Sequence, residues 1–144
     1  MSADSRDKEI LIVDDDADYC ELTRARLEAS GFRVSVASNG SEAMTHLESG
    51  HCPALILLDI EMPDKNGLTT LIQMNMRSEA KSGQKAKPRI PVIVATGLEG
   101  KKLKRIMTDN HIDDYLQKPY TAEELLHKVN RILAPAPEGS SQTT

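Results

Sequence analysis

Five short apolar runs alternate along the chain with five segments of helical periodicity. The runs are Ile10–Val13, Arg33–Ala37, Ala54–Leu58, Pro91–Ala95 and Tyr115–Leu116. They are rich in β-branched residues and mostly uninterrupted, a pattern that predicts strands of a parallel sheet buried on both faces. The fifth run is the weakest and takes its assignment from its place in the alternation. Asp18 to Ser30 reads as a helix stopped by Gly31. The second helix opens at Asn39-Gly-Ser-Glu42, a capping-box-like start using Asn, and ends near Gly50. Leu68, Leu71, Ile72 and Met76 mark one face of the third helix, and Leu103, Ile106 and Met107 one face of the fourth. The fifth carries the clearest signal, a Thr121-Ala-Glu-Glu124 capping box followed by Leu125, Val129, Ile132 and Leu133 at helical spacing.

Strict βα alternation implies right-handed crossovers, with helices covering both faces of one sheet. A chain of 144 residues, 39% of them apolar, suits one such α/β domain with a full core. With one Phe, three Tyr and no Trp, that core must rest on aliphatic side chains. The domain is expected to span residues 8–133, with a flexible N-terminus over 1–7. The Pro- and Ser-rich end, 134–144, is expected to be disordered. Ser78–Arg89 is a polar, Lys-rich connection, long for this architecture and expected to be exposed and mobile. The longest apolar run, Ala54–Leu58, is far too short to cross a bilayer, and the N-terminus has no apolar signal region. A cytoplasmic location follows as the expectation, with Cys20 and Cys52 as reduced thiols without metal-like spacing.

Charge changes the picture locally. The net charge of −4 argues against general nucleic-acid binding. Between Arg77 and Arg105, however, nine basic residues face only Glu79 and Glu99, a local +7 that leaves −11 for the remainder. A solvated basic face and a partner-docking surface both fit that segment.

Ligands of open parallel α/β sheets bind beyond the carboxyl ends of the strands. The first run ends in Asp14-Asp15-Asp16, the third in Asp59, the fourth in Thr96-Gly97 and the fifth in Lys118-Pro119. If these strands neighbour one another, the side chains share one pocket. Clustered carboxylates repel and need a cation, and an all-oxygen ligand set suits Mg²⁺. A hydroxyl (Thr96) and an ammonium (Lys118) opposite them suit the oxygens of a phosphoryl group. Together these are the parts for phosphoryl transfer to a carboxylate. Asp16 or Asp18 is expected merely to cap the first helix. Met62-Pro63 followed by Asp64-Lys-Asn-Gly67 marks a tight turn whatever the function.

From about Lys8 to Leu133 the sequence resembles the receiver domain of bacterial two-component response regulators. The resemblance rests on Asp14-Asp15, on Asp59-Ile-Glu-Met-Pro-Asp-Lys-Asn-Gly67, on Ala95-Thr96-Gly97 and on Tyr115 through Lys118-Pro119. It implies a flavodoxin-like, doubly wound five-stranded parallel sheet of order 2-1-3-4-5 with five helices. It further implies Asp59 as phosphoacceptor, with Asp15 a direct Mg²⁺ ligand and Asp14 a ligand directly or through water. The backbone carbonyl of Glu61 would supply another. Lys118 would contact the acyl phosphate and Thr96 would hydrogen-bond it, while Tyr115 matches a switch aromatic that turns inward with Thr96. A cis bond is usual at the Lys118–Pro119 position. Glu61 and Leu98 would flank the path of attacking water. The phosphodonor implied is a histidine kinase or phosphotransfer protein. The output surface implied is the helix 4–strand 5–helix 5 face, read by a protein partner without direct contact to nucleic acid or membrane insertion. Such a domain catalyses only its own phosphorylation and slow dephosphorylation. Two stretches depart from the family pattern: Asp109-Asn-His-Ile112-Asp-Asp lacks the Ala-Gly common there, and Ser78–Arg89 is long.

Two other readings compete. A haloacid-dehalogenase-like phosphatase would use Asp14 and Asp16 with Thr96 and Lys118, but has Asp18 where Thr or Val is usual and leaves Asp59 without a role. A flavodoxin-like cofactor binder needs a hydroxyl- and glycine-rich loop where this chain has three aspartates.

Overall fold

The computed structural model describes residues 8–61, 67–77, 89–97, 100–109 and 112–133, with the side chains of 68, 75–77 and 109 excepted. The two termini, the connection over 78–88, the turn over 62–66, Leu98 and the Asn110-His111 departure lie outside these residues, as do the side chains of Leu68 and Met76. The elements are β1 (Glu9–Val13), α1 (Ala17–Ala29), β2 (Arg33–Ala37), α2 (Gly40–Glu48), β3 (Leu55–Asp59), α3 (Gly67–Arg77), β4 (Val92–Thr96), α4 (Gly100–Asp109), β5 (Asp114–Gln117) and α5 (Ala122–Leu133). All four strand pairings are parallel, in the order β2-β1-β3-β4-β5. The order and the element sequence are those expected.

Strand side chains point alternately to opposite faces, so each central strand feeds two cores. Ile10, Ile12, Leu55, Leu57, Ile93 and Ala95 pack with Leu27 of α1 and with Leu125 and Val129 of α5. Leu11, Val13, Ile56, Leu58, Val92 and Val94 pack with Ala43 and Leu47 of α2 and with Leu71 and Met74 of α3. Ile106 of α4 joins this second cluster at its margin.

Burial on both faces holds for β1, β3 and β4 but fails at the edges. β2 leaves Arg33 and Val36 exposed, and β5 alternates, because each has a neighbour on one side only. The third helix also differs from its expected face. Ile72 is 45% exposed while Met74 is buried, because the helix turns Thr70, Leu71 and Met74 to the sheet.

Caps close the helices as the sequence predicts, with one change. Asp16 caps α1 by accepting from the Tyr19 N–H at 3.1 Å, and Gly31, at φ 96°, takes the chain out of the helix. In α5 the box is reciprocal: Thr121 Oγ1 accepts from Glu124 N–H and Glu124 Oε1 from Thr121 N–H, at 3.0 and 2.9 Å. In α2, Asn39 Oδ1 accepts from Glu42 N–H, but the Glu42 carboxylate reaches back one residue further, to Ser38. Thr121→Ala should cost about 1 kcal/mol, read as a lower urea midpoint at unchanged slope.

Candidate functional site

Register brings the polar strand ends together. Val13 lies opposite Leu58, so Asp14 continues level with Asp59 at the end of β3. Asp59 in turn lies opposite Ala95, and Thr96 opposite Gln117, one residue before Lys118. The Lys118 N–H also donates to the Thr96 carbonyl at 2.8 Å, tying the end of β5 to that of β4. The Lys118–Pro119 bond is cis.

Three carboxylates meet at this edge. Oxygens of Asp14, Asp15 and Asp59 all lie within 4.8 Å of one another, with Asp14 and Asp59 buried and Asp15 exposed. Asp14 Oδ1 accepts from the Asp16 N–H at 3.0 Å, and Asp59 Oδ1 from the Glu61 N–H at 2.9 Å. Lys118 reaches into the cluster unequally: its Nζ lies 2.7 Å from Asp14 Oδ2 but 3.4 Å from Asp59 Oδ2. The ammonium therefore belongs mainly to Asp14.

That inequality sets the protonation balance. Burial works against the charge on Lys118, yet the hydrogen bond and attraction of Asp14, followed by Asp59, raise its pKa. Burial pushes the Asp59 carboxyl up to about 6, with Asp14 adding to the rise against the Glu61 N–H and Lys118. Asp59 is thus a carboxylate with too little positive charge beside it. An all-oxygen trio with one exposed member open to water has the chemistry that suits a hard divalent cation.

Tyr19 is a neighbour that sequence reasoning passed over. Its ring centroid lies 4.5 Å from Lys118 Nζ, and its hydroxyl accepts from the Tyr120 N–H at 3.2 Å. The two rings meet edge to face at 5.3 Å, and the Tyr120 hydroxyl bonds Thr23 Oγ1. The lysine is thereby braced by a cation–π contact anchored on both sides of the cis bond. An aromatic one turn into the helix that follows the acidic strand end was the signal available.

Thr96 enters the site through Glu61. Its side chain is fully buried, and its Oγ1 donates to Glu61 Oε1 at 3.0 Å. Tyr115 is half-buried on β5, with Lys128 Nζ 4.4 Å from its ring centroid. Asp16 is spent on capping α1, which removes the second aspartate that the phosphatase reading requires. Cys20 donates to the Asp14 carbonyl, and burial followed by the Asp14 charge pushes its thiol up to about 12, an inert protonated group.

Known proteins match this chain in sequence and fold. The family model "Response regulator receiver domain" matches residues 10–130. The transcriptional regulatory protein CpxR of Escherichia coli K12 is 36% identical over 125 residues, 86% of this chain and 48% of that protein. The autoinducer sensor kinase/phosphatase CqsS of Vibrio cholerae is 35% identical over 124 residues, 85% of this chain but 17% of that protein. Among solved structures, a CheY-like receiver domain from Methanospirillum hungatei superposes with a TM-score of 0.73 at 29% identity, covering 86% of this chain and 91% of that one. The chain spans about half the length of CpxR. None of these matches supports a haloacid-dehalogenase-like phosphatase. With the five-stranded order, the acidic trio and the family match in agreement, this chain belongs to the response regulator receiver domains of two-component systems.

Proposed function

We propose that the domain is a switch driven by Mg²⁺-dependent phosphorylation of Asp59. The observation that carries this reading is the buried, under-neutralised Asp59 carboxylate beside Asp14, Asp15 and Lys118. An Asp59 oxygen attacks the phosphorus of a phosphohistidine on a kinase or phosphotransfer protein. The O–P bond forms as the N–P bond breaks, and the electron pair stays on the departing imidazole nitrogen. Asp14, Asp15, Asp59 and the Glu61 backbone carbonyl would hold Mg²⁺, which would supply charge neutralisation to the transferring phosphoryl oxygens. Lys118 then pairs with the acyl phosphate and Thr96 donates a hydrogen bond to it. Slow hydrolysis of the acyl phosphate resets the domain, so turnover of a separate substrate is not part of the role.

Output follows from displacing Thr96. Tyr115 fills the space that Thr96 vacates, which alters the face formed by α4, β5 and α5. On α4, Lys101, Lys102, Lys104 and Arg105 are all exposed, which suits a partner with an acidic surface. The relatives place this kind of domain in both a transcriptional regulator and a sensor kinase. Among the described residues no helix is long and apolar enough to cross a membrane.

The test is incubation with acetyl phosphate and Mg²⁺, followed by mass spectrometry of borohydride-trapped peptides. Asp59 alone should be read as homoserine, the product of hydride attack on its acyl phosphate with loss of inorganic phosphate, and that conversion should vanish when EDTA replaces the metal. Conversion of another residue, or conversion that survives EDTA, would overturn the reading.

A further inference from the structure

The Glu61 side chain occupies two donors at the end of β4, the strand beside the one that carries Asp59. One oxygen, Oε1, accepts from Thr96 Oγ1 at 3.0 Å and from the Gly97 N–H at 2.8 Å. These donors close the end of β4, the strand paired with β3 through Asp59 and Ala95. Gly97 leaves the approach open, since even a Cβ there would come no nearer than 3.5 Å to the same Glu61 oxygen. Glu61 is also fixed from the other side, because its N–H donates to Asp59 Oδ1 at 2.9 Å. The residue therefore spans from the phosphoacceptor to the hydroxyl that must move, holding both at hydrogen-bond distance.

We propose that the Glu61 carboxylate is a built-in stand-in for a phosphoryl oxygen. In the unmodified protein it keeps Thr96 Oγ1 and the Gly97 N–H engaged, and it must release them when Asp59 is modified. It is a positioning residue, acting on the site through Thr96 and Gly97. The inference rests on Asp59 being the phosphoacceptor. Two effects act in the same direction. Charge-assisted hydrogen bonds to Glu61 are given up as those to the phosphoryl oxygens form, and a carboxylate beside a dianionic group repels it. Glu61 thus raises the threshold for the switch, and removing it makes the phosphorylated conformation easier to reach.

The experiment is a beryllofluoride titration with saturating Mg²⁺ on wild type, Glu61→Gln and Glu61→Ala, read from amide chemical shifts. Beryllofluoride should bind Glu61→Ala about tenfold more tightly than wild type, the equivalent of one exchanged hydrogen bond. Glu61→Gln, which keeps an acceptor oxygen but loses the charge, should fall between them. In a Thr96→Ala background the gain from Glu61→Ala should shrink, whereas pure charge repulsion would leave it intact. Before any beryllofluoride is added, the Gly97 amide proton should shift upfield in Glu61→Ala as it loses its acceptor. Equal or weaker beryllofluoride binding by Glu61→Ala, or an unmoved Gly97 amide, would overturn the proposal. A wild type that ignores beryllofluoride, or binds it equally after Asp59→Asn, would instead sink the phosphoacceptor assignment, with the Gly97 amide still reporting on the latch.

Discussion

Asp59→Asn should abolish phosphorylation while making the metal-free protein more stable at pH 7. Loss of labelling follows because an amide oxygen is no longer an anionic nucleophile. The stability gain follows from linkage. The folded-state pKa of Asp59 is raised, from 3.8 to about 6. A carboxyl whose folded pKa lies above its unfolded value contributes stability below the unfolded pKa and loses it as pH rises through the folded one. The metal-free wild type should therefore lose stability between about pH 4 and pH 7 on account of this group, by roughly 2 to 3 kcal/mol. The substituted amide keeps an acceptor for the Glu61 N–H and has no charge to bury, so the variant's curve should lack that slope. Urea unfolding in EDTA at pH 4, 5.5 and 7 measures the difference, which should be largest at pH 7 and smallest at pH 4. Added Mg²⁺ should close the gap by binding the native wild-type trio. A variant less stable than wild type at pH 7 in EDTA would show that Lys118 neutralises Asp59 fully.

Gly67→Ala is the second large effect expected, and its reason is space. A Cβ at Gly67 would lie 2.2 Å from the Asp59 carbonyl oxygen, 2.4 Å from Ile60 Cα and 2.9 Å from the Asp59 carbonyl carbon. All three atoms are backbone, so no rotamer change relieves the clash. The start of α3 would have to withdraw from the end of β3, where the proposed phosphoacceptor Asp59 sits. Overpacking within a core costs about 1 to 3 kcal/mol, and a backbone collision should exceed that range, at about 3 kcal/mol or more. Chemical denaturation reads the stability, and beryllofluoride affinity reads the displacement of Asp59. A variant with the wild-type midpoint and wild-type affinity would show that α3 moves away at little cost.

Much of this was legible in the sequence because the signals were local and repeated. Continuous apolar runs named the strands, and the alternation with helices fixed the architecture. Asp14, Asp15, Asp59, Thr96 and Lys118 were each found by one rule, a polar residue at the carboxyl end of an apolar run. What escaped depended on distances between segments. The unequal hold of Lys118 on Asp14 and Asp59 comes from side-chain positions that no spacing encodes. Tyr19 was passed over because helical periodicity does not say that its ring sits beside a lysine from the far end of the sheet. Glu61 stands out in the sequence for its main-chain carbonyl and as a flank to the path of attacking water, but nothing in the spacing says that its side chain engages Thr96. Gly67 was assigned to a turn, while the structure shows it as a close approach of α3 to β3. The exposed edge of β2 was missed because burial on both faces was inferred for every strand, although order alone leaves two strands with single neighbours.

The distribution of the site over the strands has a consequence for synthesis. Asp14 and Asp15 follow β1, Asp59 ends β3, Thr96 ends β4 and Lys118 follows β5, while β2 adds none of these residues. A ribosome extends the chain N-terminus first. The acidic trio can assemble once β3 has emerged and paired with β1, but its lysine arrives only when β5 is added beside β4. A nascent or clipped chain ending before Lys118 would carry the carboxylates without their ammonium. On the proposed role of Asp59, competence to accept a phosphoryl group would double as a check that the last strand has docked.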